Sequence, residues 1–383
     1  MGWSFRIAKV SGIDIKIHVT FFLILLLGAL QWASHTPESP LDGALFGVTL
    51  MLLLFTCVTL HELGHSLAAQ YFGIPVREIV LTPLGGIAMI TKNPDKPLHE
   101  LIIAVAGPVV NVLIAIVLFL VTGANMHATI LDARGSIGEL FSRPSFDVMM
   151  LWLFAANISL AVFNMIPAFP LDGGRVLRAL LAMFMNFSTA TTIAATIGQI
   201  AAIGLGLLGF INGNFILILI AVFIFFGAGQ ETVQTSSKAV LSTRRVGDTY
   251  NRYALHLKIG DRVSQVIDYL LTSYQPDFAV MQGSQIIGIV TRRDVFNALA
   301  THSRDLYVTE IMRRDFLSVQ ADRSLDDVYA LMAERGERVV AVFDGPNYLG
   351  LVSLEDINEA LAILAFMEKH QQLKAQQEPA SSA

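Results

Sequence analysis

The stretch Thr59-Leu60-His61-Glu62-Leu63-Gly64-His65 decides how this chain is read. It spells H-E-x-x-H near the end of a long apolar segment. At roughly 100° per residue, histidines four positions apart lie about 40° from each other on one helix face. Their imidazoles can grip a single zinc ion, and Glu62 stands close enough to take a proton from water on that metal. Ionisable groups in an apolar helix are costly, about 2.5–3.5 kcal/mol for each Asp, Lys or Arg at a membrane centre. That cost argues for chemistry. A helix end whose polar residues merely face lipid headgroups would leave the spacing unexplained.

The chain around the motif is apolar throughout. Of 383 residues, 54% are hydrophobic and 15% charged, and the mean hydropathy is +0.59. Such a composition points to several membrane spans rather than a soluble protein. The formal net charge of -5 argues against a nucleic-acid partner. Cys57 is the single cysteine, so no intrachain disulfide forms and no thiolate zinc site is expected. It lies one helical turn before His61 and reads as a small packing residue. Arg6, Lys9 and Lys16 precede the first apolar run without a small-residue cleavage site, so that run reads as a retained span.

Six spans are expected, about Ile17 to Trp32, Ala44 to Gln70, Leu98 to Val121, Val148 to Phe169, Thr191 to Phe210 and Phe215 to Gly227. Lys and Arg concentrate before span one, between spans two and three (Arg77, Lys92, Lys96) and between spans four and five (Arg175, Arg178). The link after span one and the turn after span five have none, and the segment after span three has Arg134 and Arg143. The positive-inside rule therefore places both termini in the cytoplasm of a multi-pass cell-membrane protein. Span two then runs from outside to inside. His61 lies about 17 residues into it, roughly 25 Å at 1.5 Å per residue, in a core of about 30 Å. The metal site is expected inside the membrane, nearer the cytoplasmic face.

A catalytic zinc needs a third protein ligand and an open position. Span four also runs inward and ends in Asn164-Met165-Ile166-Pro167-Ala168-Phe169-Pro170-Leu171-Asp172-Gly173-Gly174-Arg175. Asp172 reaches the depth of His61 and His65, and the prolines and glycines unwind the helix so that its carboxylate can turn inward. Asp172 is also a natural cap for a helix starting at Arg175. Its matching depth favours ligation. A side-chain amide such as Asn164 can donate to a developing oxyanion or make a span-to-span hydrogen bond. Asn111 reads as a contact of the latter kind.

These motifs resemble the site-2 protease family of intramembrane zinc metalloproteases, in its subgroup with C-terminal CBS domains. The resemblance covers nearly the whole chain. The H-E-x-x-H is His61, Glu62 and His65, and N-x-x-P-x-x-P-x-D-G runs from Asn164 to Gly173. A-G-P-x-x-N is Ala106 to Asn111, and P-x-G-G is Pro83-Leu84-Gly85-Gly86. The resemblance implies one zinc on His61, His65 and Asp172, Glu62 as catalytic base, and Asn164 holding the oxyanion or the substrate. The substrate would be a membrane protein cut in or beside a transmembrane segment.

Val76 to Leu81 and Ile87 to Ile90 flank Pro83 and Gly85-Gly86 and suggest a β-hairpin against the membrane domain. Its edge can pair with an unwound substrate segment, or the hairpin can be purely structural. Gln230 to Lys238 is polar and reads as a linker. Beyond it the chain repeats: Phe278-Ala279-Val280-Met281 through Asp294 matches Val340-Ala341-Val342-Phe343 through Asp356 without a gap. Each copy reads helix, strand, strand, helix, and the two look like a tandem CBS pair. In that family Thr/Ser-x-x-Asp after the second strand often meets the ribose of an adenine nucleotide such as ATP. Here that gives Thr291 with Asp294 and Ser353 with Asp356. The same pattern is also a plain helix start.

The expected architecture is thus a polytopic α-helical membrane protein with six transmembrane helices and a membrane-associated β-hairpin. A C-terminal α/β tandem CBS domain follows. Residues 1–232 form the metalloprotease domain, 233–245 a linker, 246–303 and 304–367 the CBS repeats, and 368–383 a disordered tail. A nucleotide effector and a homodimer through the CBS domains are compatible with this plan. A CBS-gated transporter or channel would need polar residues lining several spans, and spans one, five and six offer few. An inactive homologue that only binds membrane segments would have no use for Glu62.

Overall fold

The computed structural model describes residues 3–83, 85–90, 94, 96–132, 144–273, 275–301 and 304–377. It divides into two compact units, residues 1–233 and 234–383. Leu84, Lys92, Arg134, Arg143 and residues 378–383 lie outside the described residues.

The first unit opens with a hairpin of β1 (Ser4–Val10) and β2 (Ile13–His18), turned at Ser11 and Gly12, both at positive φ. The expected hairpin follows as β3 (Val76–Thr82) and β4 (Gly85–Ile90). The four strands form one sheet in the order β1-β2-β3-β4, with β2 parallel to β3 and Ile15 opposite Ile79. Lys16 pairs with Glu78 across that junction. The sheet is thus twice the expected hairpin. Ile13, Ile15, Ile79 and Leu81 bury themselves against Phe21, Phe55, Leu63 and Ile103 of the helices below. Apolar burial of this kind contributes about 25 cal/mol per Å² and fixes the sheet on the membrane unit.

The helices are α1 (Phe21–His35), α2 (Pro40–Tyr71), α3 (Pro97–Asp132), α4 (Phe146–Asn164), α5 (Asp172–Ala182), α6 (Phe187–Ile211) and α7 (Phe215–Ser242). Five of them, α2, α3 over Pro97–Gly123, α4, α6 and α7, are long and apolar enough to cross a membrane. The sixth apolar helix, α1, has 15 residues. It is shorter than the expected first span because β2 occupies the chain as far as His18. Leu23, Leu26, Leu30, Leu120, Ile200 and Phe226 point outward and exposed. Such an apolar exterior suits a protein dissolved in lipid. Helices α1 and α2 cross where a Cβ on Gly47 would overlap the Gly28 carbonyl, a close approach that small residues permit.

Residues 233–245, expected as a linker, are helical as far as Ser242. No Gly or Pro interrupts 230–246, and Leu241 is buried with Leu325, Val340 and Val352. In the second unit the repeat appears as two similar folds. The first has β5 (His256–Lys258), α8 (Val263–Thr272), β6 (Asp277–Gln282), β7 (Gln285–Thr291) and α9 (Arg292–Thr301). After the single turn α10 (Val308–Ile311), the second has β8 (Ser318–Gln320), α11 (Leu325–Arg335), β9 (Val339–Asp344), β10 (Asn347–Ser353) and α12 (Leu354–Gln377). Each copy forms a three-stranded sheet, a short parallel strand beside an antiparallel hairpin. Both hairpins bulge at the same repeat position, just before Gly288 and just before Gly350. Ala279, Ile289, Val339, Ala341 and Leu351 form a core shared by the copies. The tail expected from 368 is helical to Gln377, since Gln, Leu, Lys and Ala are good helix formers.

Candidate metal centre

His61 and His65 leave α2 on one face, at 6% and 3% exposure. Each ring is held from behind by α3. His65 Nδ1 donates to the Ile103 carbonyl at 2.7 Å, and His61 Nδ1 donates to Asn111 Oδ1 at 2.6 Å. These bonds fix the tautomer, so both Nε2 lone pairs point forward. The third helix brings a carboxylate. Chain reversal between Asn164 and Leu171 starts α5 at Asp172 itself; Leu171 is the N-cap and gives no side-chain cap. Asp172 is therefore not the cap of a later helix.

Asp172 Oδ2 lies 3.1 Å from His65 Nε2 and 3.3 Å from His61 Nε2, and the two Nε2 atoms are 3.1 Å apart. Three acceptors thus face one another, and a cation is what such a cluster requires. Tetrahedral zinc with ligands at about 2.0–2.1 Å separates neighbouring ligand atoms by about 3.3–3.4 Å. The observed triangle is one face of such a tetrahedron to within a few tenths of an ångström. Two nitrogens, one carboxylate oxygen and a backing hydrogen bond on each histidine are a zinc donor set. The residues fit the metal.

Two glycines make the room. A Cβ on Gly107 of α3 would overlap His65 Nε2, and a Cβ on Gly86 of β4 would overlap the Glu62 side chain, reaching within 3.1 Å of its Cδ. β4 therefore runs directly across Glu62. The A-G-P-x-x-N stretch of α3 consequently serves the site twice, with Gly107 clearing His65 and Asn111 holding His61. Asn111 is fully buried. It does cross from span to span, as its sequence position suggested, but its partner is a candidate ligand.

Residues 49–208 match Peptidase family M50, and residues 308–363 match the CBS domain. A zinc metalloprotease of Methanocaldococcus jannaschii is 30% identical over 372 residues, covering 96% of this chain and 99% of its own. The chain belongs to peptidase family M50. Stage IV sporulation protein FB of Bacillus subtilis is 27% identical over 46% of this chain and 51% of its own. The solved site-2 protease of Methanocaldococcus jannaschii aligns over 60% of this chain and 95% of its own, at 38% identity and a TM-score of 0.42. The chain is a multi-pass, site-2-type zinc metalloprotease carrying CBS domains, and its family implies zinc.

The remaining sequence candidates fall as follows. Asn164 ends α4, half-buried, and its amide makes no hydrogen bond among the described residues. In the CBS pair, Asp294 Oδ2 accepts from the Thr291 amide and hydroxyl at 3.0 and 2.6 Å. Asp356 Oδ2 accepts from Ser353 in the same way at 2.8 and 2.7 Å. Both pairs are helix starts. They differ in surroundings. Asp294 Oδ1 also holds Arg313 at 2.9 Å. Thr291 lines a cavity of about 440 Å³ with Arg292, Arg293, Arg313 and Arg338. Ser353 and Asp356 line one of about 50 Å³.

Proposed function

We propose that this M50 peptidase cuts peptide bonds in or beside transmembrane segments of membrane-protein substrates. His61, His65 and Asp172 hold one zinc, and Glu62 moves the proton. The observation behind this reading is the convergence of three ligand atoms beside Glu62 and under β4. Zinc bound there supplies Lewis acidity, acidifying water and polarising a peptide carbonyl. The Glu62 carboxylate takes the proton of the attacking water and passes it to the leaving amine. The unbonded amide of Asn164 donates to the oxyanion or holds the substrate backbone. β4 ends the sheet and pairs with no further strand among the described residues. An unwound substrate segment adds to that edge, and the bare Gly85-Gly86 backbone lets it approach Glu62.

The six-span arrangement, with both termini cytoplasmic and the site nearer that face, rests on the distribution of Lys and Arg. We divide the chain as 1–232 for the membrane protease and 246–303 and 304–367 for the CBS repeats, with homodimerisation through the latter. An adenine nucleotide in the larger CBS cavity modulates cleavage. Its volume falls in the 300–1,000 Å³ range of ligand pockets, and its four arginines suit phosphates.

Purified protein with a membrane-protein substrate in proteoliposomes tests the proposal. Glu62→Gln should lose cleavage by at least about 10²–10⁴-fold while keeping its zinc. His65→Ala and Asp172→Ala should lose both. Full zinc content in Asp172→Ala would remove Asp172 from the ligand set, and an active Glu62→Gln would remove the base.

A further inference from the structure

Arg178 lies on α5, six residues after Asp172, and is 4% exposed within the membrane unit. Its Nε and Nη2 donate to Glu100 Oε1 at 2.9 and 2.5 Å, and its Nη1 donates to Glu231 of α7. The guanidinium carbon sits 4.9 Å from the Phe169 ring centre and 4.7 Å from that of Phe187. Glu100, in the first turn of α3, is 1% exposed, and its Oε2 has no hydrogen-bond partner among the described residues. One cation thus faces two carboxylates, with a lone pair left unmet. Desolvating such groups costs several kcal/mol for each ion, and buried networks of this kind add little net stability. Stability alone does not account for it.

Its geometry does give it a task. Glu100 stands one turn before Ile103, whose carbonyl holds His65, and α3 goes on to Asn111, which holds His61. Arg178 stands about 1.7 turns after Asp172 on α5. The guanidinium fork therefore ties the helix that supports both histidines to the helix that begins with the carboxylate. We propose that Arg178 is a positioning residue that sets where Asp172 sits relative to His61 and His65. This rests on those three being the metal ligands. Lysine would keep the charge but lose the planar fork.

Cobalt(II) substitution of the full-length protein tests it, since the d–d bands report ligand geometry independently of cleavage. Arg178→Lys should shift these bands, raise the cobalt dissociation constant about tenfold and lower kcat by at least about tenfold, with KM little changed. The neutral triple variant Glu100→Gln/Arg178→Met/Glu231→Gln removes every charge together, so it guards against simple misfolding. It should keep the parent's thermal midpoint and still show the shifted bands. Parent-like bands, affinity and kcat in a folded triple variant would overturn the role of Arg178. A wild-type protein that binds no cobalt, or an Asp172→Ala variant that binds it fully, would instead overturn the ligand assignment.

Discussion

In the membrane unit three helices each supply one part of a single site, whereas in the CBS pair one motif is written twice and serves two different surroundings. His61, His65, Asn111, Asp172 and Arg178 are polar groups in an apolar medium, where each polar atom needs a partner. Their positions therefore specify one another. Thr291 with Asp294 and Ser353 with Asp356 have the same internal hydrogen bonds. Those bonds start a helix whether or not a ligand is present. What separates the copies is the space around them, about 440 Å³ with four arginines against about 50 Å³. A motif in lipid identifies its function through cost. A motif in an α/β repeat does so only through the cavity beside it.

The strongest test of this dependence on cost is Gly107→Ala. The added methyl overlaps the His65 nitrogen that faces Asp172. Zinc affinity should fall by about 100-fold or more, and cleavage should vanish with it. Gly204→Ala, with no neighbour within 4 Å, is the control and should match the parent. Metal analysis after dialysis reads both, and a zinc-replete Gly107→Ala would show that the helices yield rather than specify the site.

A smaller effect is expected at the strand. Gly86→Ala pushes against Glu62 and leaves the ligands untouched. Zinc content should stay at the parent level while kcat falls about 100-fold, the usual consequence of misplacing a reacting group by about 1 Å. Single-turnover cleavage measures it. A change confined to KM would mean that Gly86 serves substrate docking and not the placement of the base.

The sequence made the candidate triad of His61, His65 and Asp172 legible, because histidines in an apolar helix and an aspartate at matching depth have few other uses. Five long apolar helices were legible from their length and composition. The first hairpin was not. Arg6 and Lys9 read as charges flanking a span, and the residues of β1 are almost all exposed, so no buried face marks the strand. Asn111 reads as a contact between spans, but which partner it meets depends on the rotation of α3 against α2, and spacing does not give that. The helix from 233 to Ser242 was masked by its polar composition, since Leu241 finds its apolar partners some 80 to 110 residues further on. In the sequence Arg178 reads as a cytoplasmic charge, yet it is buried between Phe169 and Phe187.

The smallest expected effect lies in the CBS pair, at Asp277, which lines both cavities. Burial pushes its carboxyl up to about 6, and the nearby Glu355 charge adds to this. The Arg292 backbone amide and the Arg338 guanidinium pull the other way. The folded-state value lies above the ordinary carboxylate value, so between about pH 4 and 6 the native state holds the extra proton. Stability is then fully present at low pH and declines as pH rises through that window, by about 1–2 kcal/mol after allowing for partial exposure. Asp277→Asn should flatten the decline, read by hydrogen exchange of the β6 amides in the full-length chain. The same charge opposes phosphates beside Arg292, Arg293 and Arg338. ATP should therefore bind the parent a few-fold more tightly at pH 5.5 than at pH 7.5 beyond what Asp277→Asn shows. Asp294→Ala should weaken that binding about tenfold and Asp356→Ala should not, because the Thr291 cavity has room for a nucleotide and the Ser353 cavity does not. Equal losses in both variants would mean that the copies share the ligand, and that the difference in cavity size does not decide between them.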